Sequence, residues 1–365
     1  MPDSAYARLQ EFLDRFPLGF PRTDSGVEIR ILEKLFTQEE ARTAVLLSPV
    51  PEEASQVAAR AGVDPAQLAA KLESMSKKGL IFRVRRGGRT FYSSAPFMIG
   101  LYEYSVKRMD RELAGLYREY YETAYLAEMG ASNEPGFKVL PIHEEVVAAG
   151  AALLPFDRIR EQVRSARKIS VAECICRKEA LLTGGGCGRP LETCLSFGAA
   201  ADYYIENGLG REIDADQALE ILEEADRAGL VHAGSNTRHL SNICNCCPCC
   251  CASMKGITTR GHDKVKYLNA LFEAVVDDEA CLGCGDCLER CPVGAITLSE
   301  RAERHAGERA RVDRNKCLGC GLCAGPCPAR AIELCVREDR QEPFERVLDL
   351  GLAILRGKGA SGRRS

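Results

Sequence analysis

Apolar positions recur with a helical period through the first third of the chain. "EIRILEKLF" (28–36) and "TQEEARTAVLLS" (37–48) both predict helices. "PEEASQVAARAG" (51–62) predicts a short helix stopped by Gly62. "DPAQLAAKLESMSKKG" (64–79) opens with Asp64 as N-cap and Pro65 in the first turn, and stops at Gly79. "LIFRVRRGGRTFYSS" (80–94) is two strand-like runs joined at Gly87-Gly88, a hairpin signal. The stretch from 97 to 129 predicts one long, tyrosine-rich helix whose rings pack against a neighbouring domain. "GASNEPGFKVLP" (130–141) has the composition of a linker. Residues 155–174 predict a helix followed by a short apolar strand, and 214–234 contain a clean amphipathic helix. There is no run of eighteen apolar residues, so no membrane span is expected.

Helix, turn, helix and hairpin is the order of a winged helix-turn-helix domain, and residues 28–95 resemble one. This region carries eleven Lys/Arg and eight Asp/Glu, a net of +3, with "RVRRGGR" at the hairpin tip. Those arginines suit phosphates. The second helix, however, offers Asp64, Gln67, Lys71 and Ser74 on its polar face, a thin set for reading base edges. A scaffold or protein-docking role is favoured over DNA, for which only weak contact is expected.

Composition narrows the class. Hydrophobic residues make up 45% and charged residues 28%, which suits ordered globular domains. A net charge of −3 gives no bulk field toward nucleic acid or anionic membranes. The opening "MPDSAYARLQEFLDRF" is amphipathic and acidic, with no signal core or twin arginine, so a cytoplasmic location is expected. Nineteen cysteines, all between Cys174 and Cys335, then need a reason. An odd count in a reducing compartment argues against a disulfide framework and for metal ligation.

Residues 281–292 read "CLGCGDCLERCP" and residues 317–328 read "CLGCGLCAGPCP". Both are C-x2-C-x2-C-x3-C-P, the bacterial ferredoxin spacing in which the fourth cysteine serves the other cluster. Three thiolates on one tight loop wrap a cubane corner, and Gly283, Gly285, Gly319 and Gly321 allow close backbone approach. Cys281, Cys284, Cys287 and Cys327 are therefore expected to hold one [4Fe-4S] cluster, and Cys317, Cys320, Cys323 and Cys291 the second. "VGAITL" and "ARAIEL" after the motifs suit short closing elements. The charged segment 299–315 between the motifs is expected to be a solvated hairpin.

Ten cysteines remain besides these eight and Cys335: Cys174, Cys176, Cys187, Cys194, Cys244, Cys246, Cys247, Cys249, Cys250 and Cys251. Six of them crowd the eight residues "CNCCPCCC". A C-x-C pair presents both thiols to one side only if the backbone is extended, and adjacent cysteines cannot all face one cubane. A subset is expected to bind one or more additional iron–sulfur or other metal centres. The two cysteine groups, which flank the amphipathic helix, are expected to meet. Structural zinc and a redox dithiol are the alternatives.

"CICR" (174–177), residues 186–213, "AGLVH" (228–232), "ICNCCPCCC" (243–251) and both ferredoxin repeats together resemble the 4Fe-4S binding proteins of anaerobes. That resemblance implies an α+β, multi-domain chain: a winged helix-turn-helix module over 1–95, a long helix and linker over 96–155, a mostly helical cysteine-rich domain over 156–275, a dicluster ferredoxin over 276–340, and a C-terminal helix with a basic tail over 341–365. The resemblance itself implies no settled reaction; the dicluster repeats point to low-potential electron transfer, expected within an anaerobic oxidoreductase system with an oxidoreductase or ferredoxin-dependent enzyme as partner. A redox-sensing transcription regulator and a catalytic oxidoreductase subunit are the alternatives. No nucleotide-binding fingerprint or catalytic triad is evident, so a carrier or subunit is expected rather than a stand-alone enzyme.

Overall fold

The computed structural model describes residues 4–143, 147–148, 153–154, 157–300 and 307–360. The tip of the predicted 299–315 hairpin, the end of the basic tail and parts of the 141–156 stretch lie outside the described residues. The chain forms two compact units that are interleaved in sequence rather than consecutive. One comprises Met1–Ala131, Arg167–Cys187 and Leu195–Ile213; the other comprises Ser132–Ala166, Gly188–Cys194 and Asp214–Ser365.

In the first unit, helices span Val27–Leu35, Gln38–Ala44, Ala54–Ala61 and Pro65–Lys77. Thr37 and Glu40 form a capping box at the start of the second, and Asp64 accepts from the Gln67 amide at the start of the fourth. Strands Ile81–Arg86 and Arg89–Ser94 pair antiparallel, with Arg86 opposite Arg89. The two-residue turn puts both Gly87 and Gly88 at positive φ, 56° and 74°. A short third strand, Glu52–Glu53, completes the sheet against Arg89–Ser94.

The long helix expected over 97–129 is not continuous. Ile99 takes φ +50°, Met98 and Gly100 are also non-helical, and a fresh helix starts at Arg111, capped by Asp110. The interruption lets the aromatic residues converge rather than lie along one stripe. Phe97 stacks with Tyr102, Tyr117, Tyr120, Tyr121 and Tyr125, with ring centroids 4.7–5.9 Å apart. Two of the buried hydroxyls find side-chain partners: Tyr102 donates to Glu179 (2.7 Å) and Tyr117 to Ser105 (3.0 Å).

The second unit corrects the expectation of a mostly helical cysteine-rich region. Strands Phe137–Val139, Val231–Ser235, Asn242–Cys246 and Leu268–Asn269 run through it, and Glu192–Phe197 begins there. The expected amphipathic helix is present as Ala215–Arg227, with an Asp214/Gln217 capping box. Strand Val231–Ser235 follows it and pairs antiparallel with Asn242–Cys246, placing His232 opposite Asn245 and Ala233 opposite Cys244.

Two further antiparallel pairs close the C-terminal module. Phe272–Val276 pairs with Ile332–Val336, and Ile296–Glu300 with Glu308–Val312. The latter pair is the base of the predicted 299–315 hairpin. A helix over Val347–Ala360 follows. No helix among the described residues is long and apolar enough to cross a membrane.

Candidate metal centres

The two four-cysteine motifs fold into equivalent halves. One pocket is lined by Cys281, Cys284 and Cys287 of the first motif together with Cys327 of the second. The other is lined by Cys317, Cys320 and Cys323 together with Cys291. Backbone amides point at the sulfurs in matching pairs. Ala310 N–H donates to Cys281 Sγ (3.5 Å) and Ala274 N–H to Cys317 Sγ (3.4 Å). Ala295 N–H donates to Cys291 Sγ (3.2 Å) and Ala331 N–H to Cys327 Sγ (3.3 Å). Such donors stabilise sulfur carrying negative charge.

Two glycines make the packing feasible. A Cβ on Gly283 would sit 2.3 Å from the Glu308 carbonyl oxygen, and one on Gly319 would sit 2.0 Å from that of Phe272. Both take positive φ, so each motif loop lies directly against the strand of its own half. Apolar cores of Leu271, Phe272, Ala295, Ile296, Ile332 and Leu334 surround the sites. Burial pushes the Cys320 thiol up to about 12, with Cys317, Cys291 and Asp226 adding to the rise. Cys323 and Cys287 are likewise raised, chiefly by burial. Metal ligation requires the thiolate, so a bound cation has to offset this burial cost.

Residues outside the motifs hold this module in place. Arg290 donates to the Asp226 and Arg227 carbonyls (2.7 and 2.8 Å) at the C-terminal end of helix Ala215–Arg227. Lys264 donates to the Arg314 carbonyl (3.1 Å) and to that of Cys317. Neither role has a sequence signature, because each depends on a carbonyl far along the chain. Cys335, on the closing strand opposite Glu273, stands apart from both pockets and is raised by burial and its acidic neighbours.

The upstream thiols sort by backbone conformation. Cys174 is the N-cap of helix Ile175–Leu182, so the Cys174/Cys176 pair is not extended; Cys176 lies beside Tyr102 and Tyr121. Cys244 and Cys246 lie on strand Asn242–Cys246 and share one face of it. Cys194 and Cys246 donate to Cys244, Cys246 also bonds Cys251, and Asn242 Nδ2 adds a contact at 3.6 Å to Cys244. Those donors hold Cys244 well below the usual thiol range and leave Cys246 raised. The other thiols of the loop turn elsewhere. The sulfurs of Cys247, Cys249 and Cys250 all lie within 4.8 Å of one another, and Cys187 closes the segment Arg167–Cys187 of the first unit. Cys249 and Cys250 are 3.8 Å apart, and Arg189 Nη1 donates to Cys249 at 3.4 Å. No disulfide is present among the described residues, which include all nineteen cysteines.

The basic hairpin differs from its appearance in sequence. Arg83 is buried, with Glu73 at 2.6 Å and Glu206 at 2.5 Å. Arg85 pairs with the same two carboxylates, and Arg89 makes a bidentate contact with Glu53 at 2.7 and 2.6 Å.

Residues 274–334 match the family model of the 4Fe-4S dicluster domain. No curated protein and no solved structure matches the chain. The matched span contains both cysteine motifs and the strand pair Ile296–Glu300 and Glu308–Val312. The chain thus carries a 4Fe-4S dicluster domain, which together with its further cysteines marks an iron–sulfur electron-transfer protein.

Proposed function

We propose that the chain relays single electrons at low potential between partner proteins of an anaerobic oxidoreductase system. In this reading Cys281, Cys284, Cys287 and Cys327 hold one [4Fe-4S] cluster, and Cys317, Cys320, Cys323 and Cys291 hold the other. The observation that carries it is the exchange of fourth ligands: each pocket gathers three cysteines of one motif and one of the other. Bound clusters supply one-electron redox chemistry. The protein's own part is to fix eight sulfurs, direct amide donors at them, and exclude water with the apolar core. Cys284 is exposed while Cys281, Cys287, Cys317 and Cys323 are buried, which makes the first pocket the nearer to solvent and the natural exchange point for a partner.

The N-terminal helices and hairpin serve as a docking module of winged-helix type. Engagement of Arg83, Arg85 and Arg89 by carboxylates supports protein docking over base reading, since paired arginines have little left for phosphates. The test is the full chain, purified anaerobically. It should carry about eight irons and eight sulfides in the two cubanes. Dithionite should reduce it to a state with coupled paramagnetic signals, and an external acceptor should reoxidise it. A chain without acid-labile sulfide would overturn the reading. A defined operator bound at physiological salt would replace the docking role with a regulatory one.

A further inference from the structure

Turn geometry gathers three thiols just after strand Asn242–Cys246. The chain leaves the strand and closes one helical turn, in which the Cys251 amide donates to the Cys247 carbonyl (3.2 Å). Pro248 takes the first position inside that turn, where its fixed φ suits a helical start and no N–H is stranded. Residues three apart on such a turn share a side, which brings Cys250 alongside Cys247. Cys249 enters from the adjacent position, and Cys250 Sγ donates to its sulfur at 3.8 Å. All three sulfurs lie within 4.8 Å of one another. Cys251 is the N-cap of helix Ala252–Thr258, and its sulfur bonds Cys246 instead.

That separation suits one ion. Around a tetrahedral ion with metal–sulfur bonds of about 2.3 Å, sulfurs stand about 3.8 Å apart. One pair already has this distance, and the others, at 4.8 Å or less, need close by at most about 1 Å. A cubane asks for the opposite change, because each cysteine sulfur then sits on its own iron and the sulfurs must spread. Arg189 supplies charge from the side. Its Nε donates to the Ala228 carbonyl (2.8 Å) at the C-cap of helix Ala215–Arg227, and its Nη1 donates to Cys249 Sγ (3.4 Å). The first bond fixes the guanidinium, so the second reaches sulfur without further ordering. A charged donor favours thiolate over thiol. Cys247 and Cys250 are 1% and 7% exposed, so as thiolates they need a cation beside them. Cys249 is exposed and gives an ion a way in.

We propose that Cys247, Cys249 and Cys250 bind one thiophilic divalent ion of the zinc class through three thiolates, with Arg189 as the positioning residue for Cys249. Loading exchanges three thiol protons for the ion, M²⁺ for 3 H⁺, with no change of oxidation state. A tetrahedral ion takes one further donor. The site is mononuclear and holds no sulfide. Once bound, the ion locks the turn that joins strand Asn242–Cys246 to helix Ala252–Thr258.

The experiment compares iron, zinc and acid-labile sulfide in the full chain, purified anaerobically, with those in Cys249→Ser, Arg189→Gln and Cys335→Ser variants. The wild type should hold about one metal ion beyond its sulfide content. Cys249→Ser should lose that ion and no sulfide, whereas Cys335→Ser should keep it. Arg189→Gln leaves all three ligands in place, and competition with a chromophoric chelator should show zinc bound about 10–100-fold more weakly. Metal no greater than sulfide in the wild type would overturn the proposal without any variant. So would a Cys249→Ser chain that retains the ion, or one that loses about four irons and four sulfides together. Mass spectrometry showing Cys249 and Cys250 joined as a disulfide in the purified chain would also overturn it. The paramagnetic signals of the reduced dicluster report that each variant has folded. They bear separately on the electron-transfer reading, so the two can fail independently.

Discussion

The chain gathers cysteines in two ways, and the contrast lies in how far each set reaches along the sequence. In the C-terminal module, three ligands of each pocket come from one loop of seven residues, and a near-copy of that loop supplies the fourth. Upstream, Cys194 lies fifty residues from Cys244 and is delivered by a tertiary contact between Asn245 and Thr193. The first arrangement is written into local spacing and tolerates many surroundings. The second exists only once the sheet has formed.

The largest expected effect tests the exchange of ligands in the C-terminal module. Cys291→Ser should remove the cluster of Cys317, Cys320 and Cys323, about four irons and four sulfides, and leave that of Cys281, Cys284 and Cys287. Upstream metal should stay constant. Iron and sulfide analysis with spectroscopy of the reduced chain checks this. Loss confined to the cluster of the first motif would mean that each motif is self-contained and that the two pockets have been assigned wrongly.

A smaller effect is expected from Gly319→Ala. The added methyl would meet the Phe272 carbonyl oxygen at 2.0 Å, at a positive φ of 64°. Strand Phe272–Val276 must shift, and a cost of about 2–4 kcal/mol in stability is expected from strain and lost pairing. The same change at Gly325, where nothing lies within 4 Å, should cost under about 1 kcal/mol. Anaerobic denaturant titration of the two variants distinguishes them. Equal costs would mean that the loop is free to move and that the close approach plays no part in holding the ligands.

These regions also differ in how much of them could be read from sequence. Motif spacing indicated the dicluster because its ligands are local, and the match over 274–334 agrees with it. The helix over 215–227 was legible from its periodicity and cap residues. The tyrosine-rich stretch was misread as one helix because its composition is helical throughout. Nothing local announces that Ile99 and Gly100 break it to converge rings around Phe97. The hairpin arginines looked like phosphate ligands because Glu206, which neutralises two of them, lies over a hundred residues away. The cysteine-rich region looked mostly helical because its strands are short and carry cysteine and asparagine instead of alternating large apolar residues.

The smallest effect expected here probes the upstream arrangement through a residue that ligates nothing. Asn245 faces away from Cys244 and Cys246, yet its side chain ties the strand to His232 and to the Thr193 carbonyl. Burial lowers the pKa of His232, so the ring is neutral, and its Nδ1–H meets the Asn245 oxygen. Asn245→Ala removes both contacts and leaves the Thr193 carbonyl and the imidazole N–H seeking partners inside the core. Cys194 then loses the restraint that holds it beside Cys244, while both sulfurs remain. If the upstream cysteines take up metal, its affinity should fall about 10–100-fold, as for a lost orienting contact behind a metal ligand. Competition of the full chain with a chromophoric chelator reads this directly, and the dicluster signals serve as the internal control because Asn245 touches neither pocket. Asn245→Gln lengthens the side chain and keeps both hydrogen-bonding groups, so it should recover part of the loss. If Asn245→Ala holds upstream metal as tightly as the wild type, the cysteines organise themselves around metal unaided. The upstream site would then resemble the C-terminal one, carrying its own geometry and borrowing nothing from the sheet.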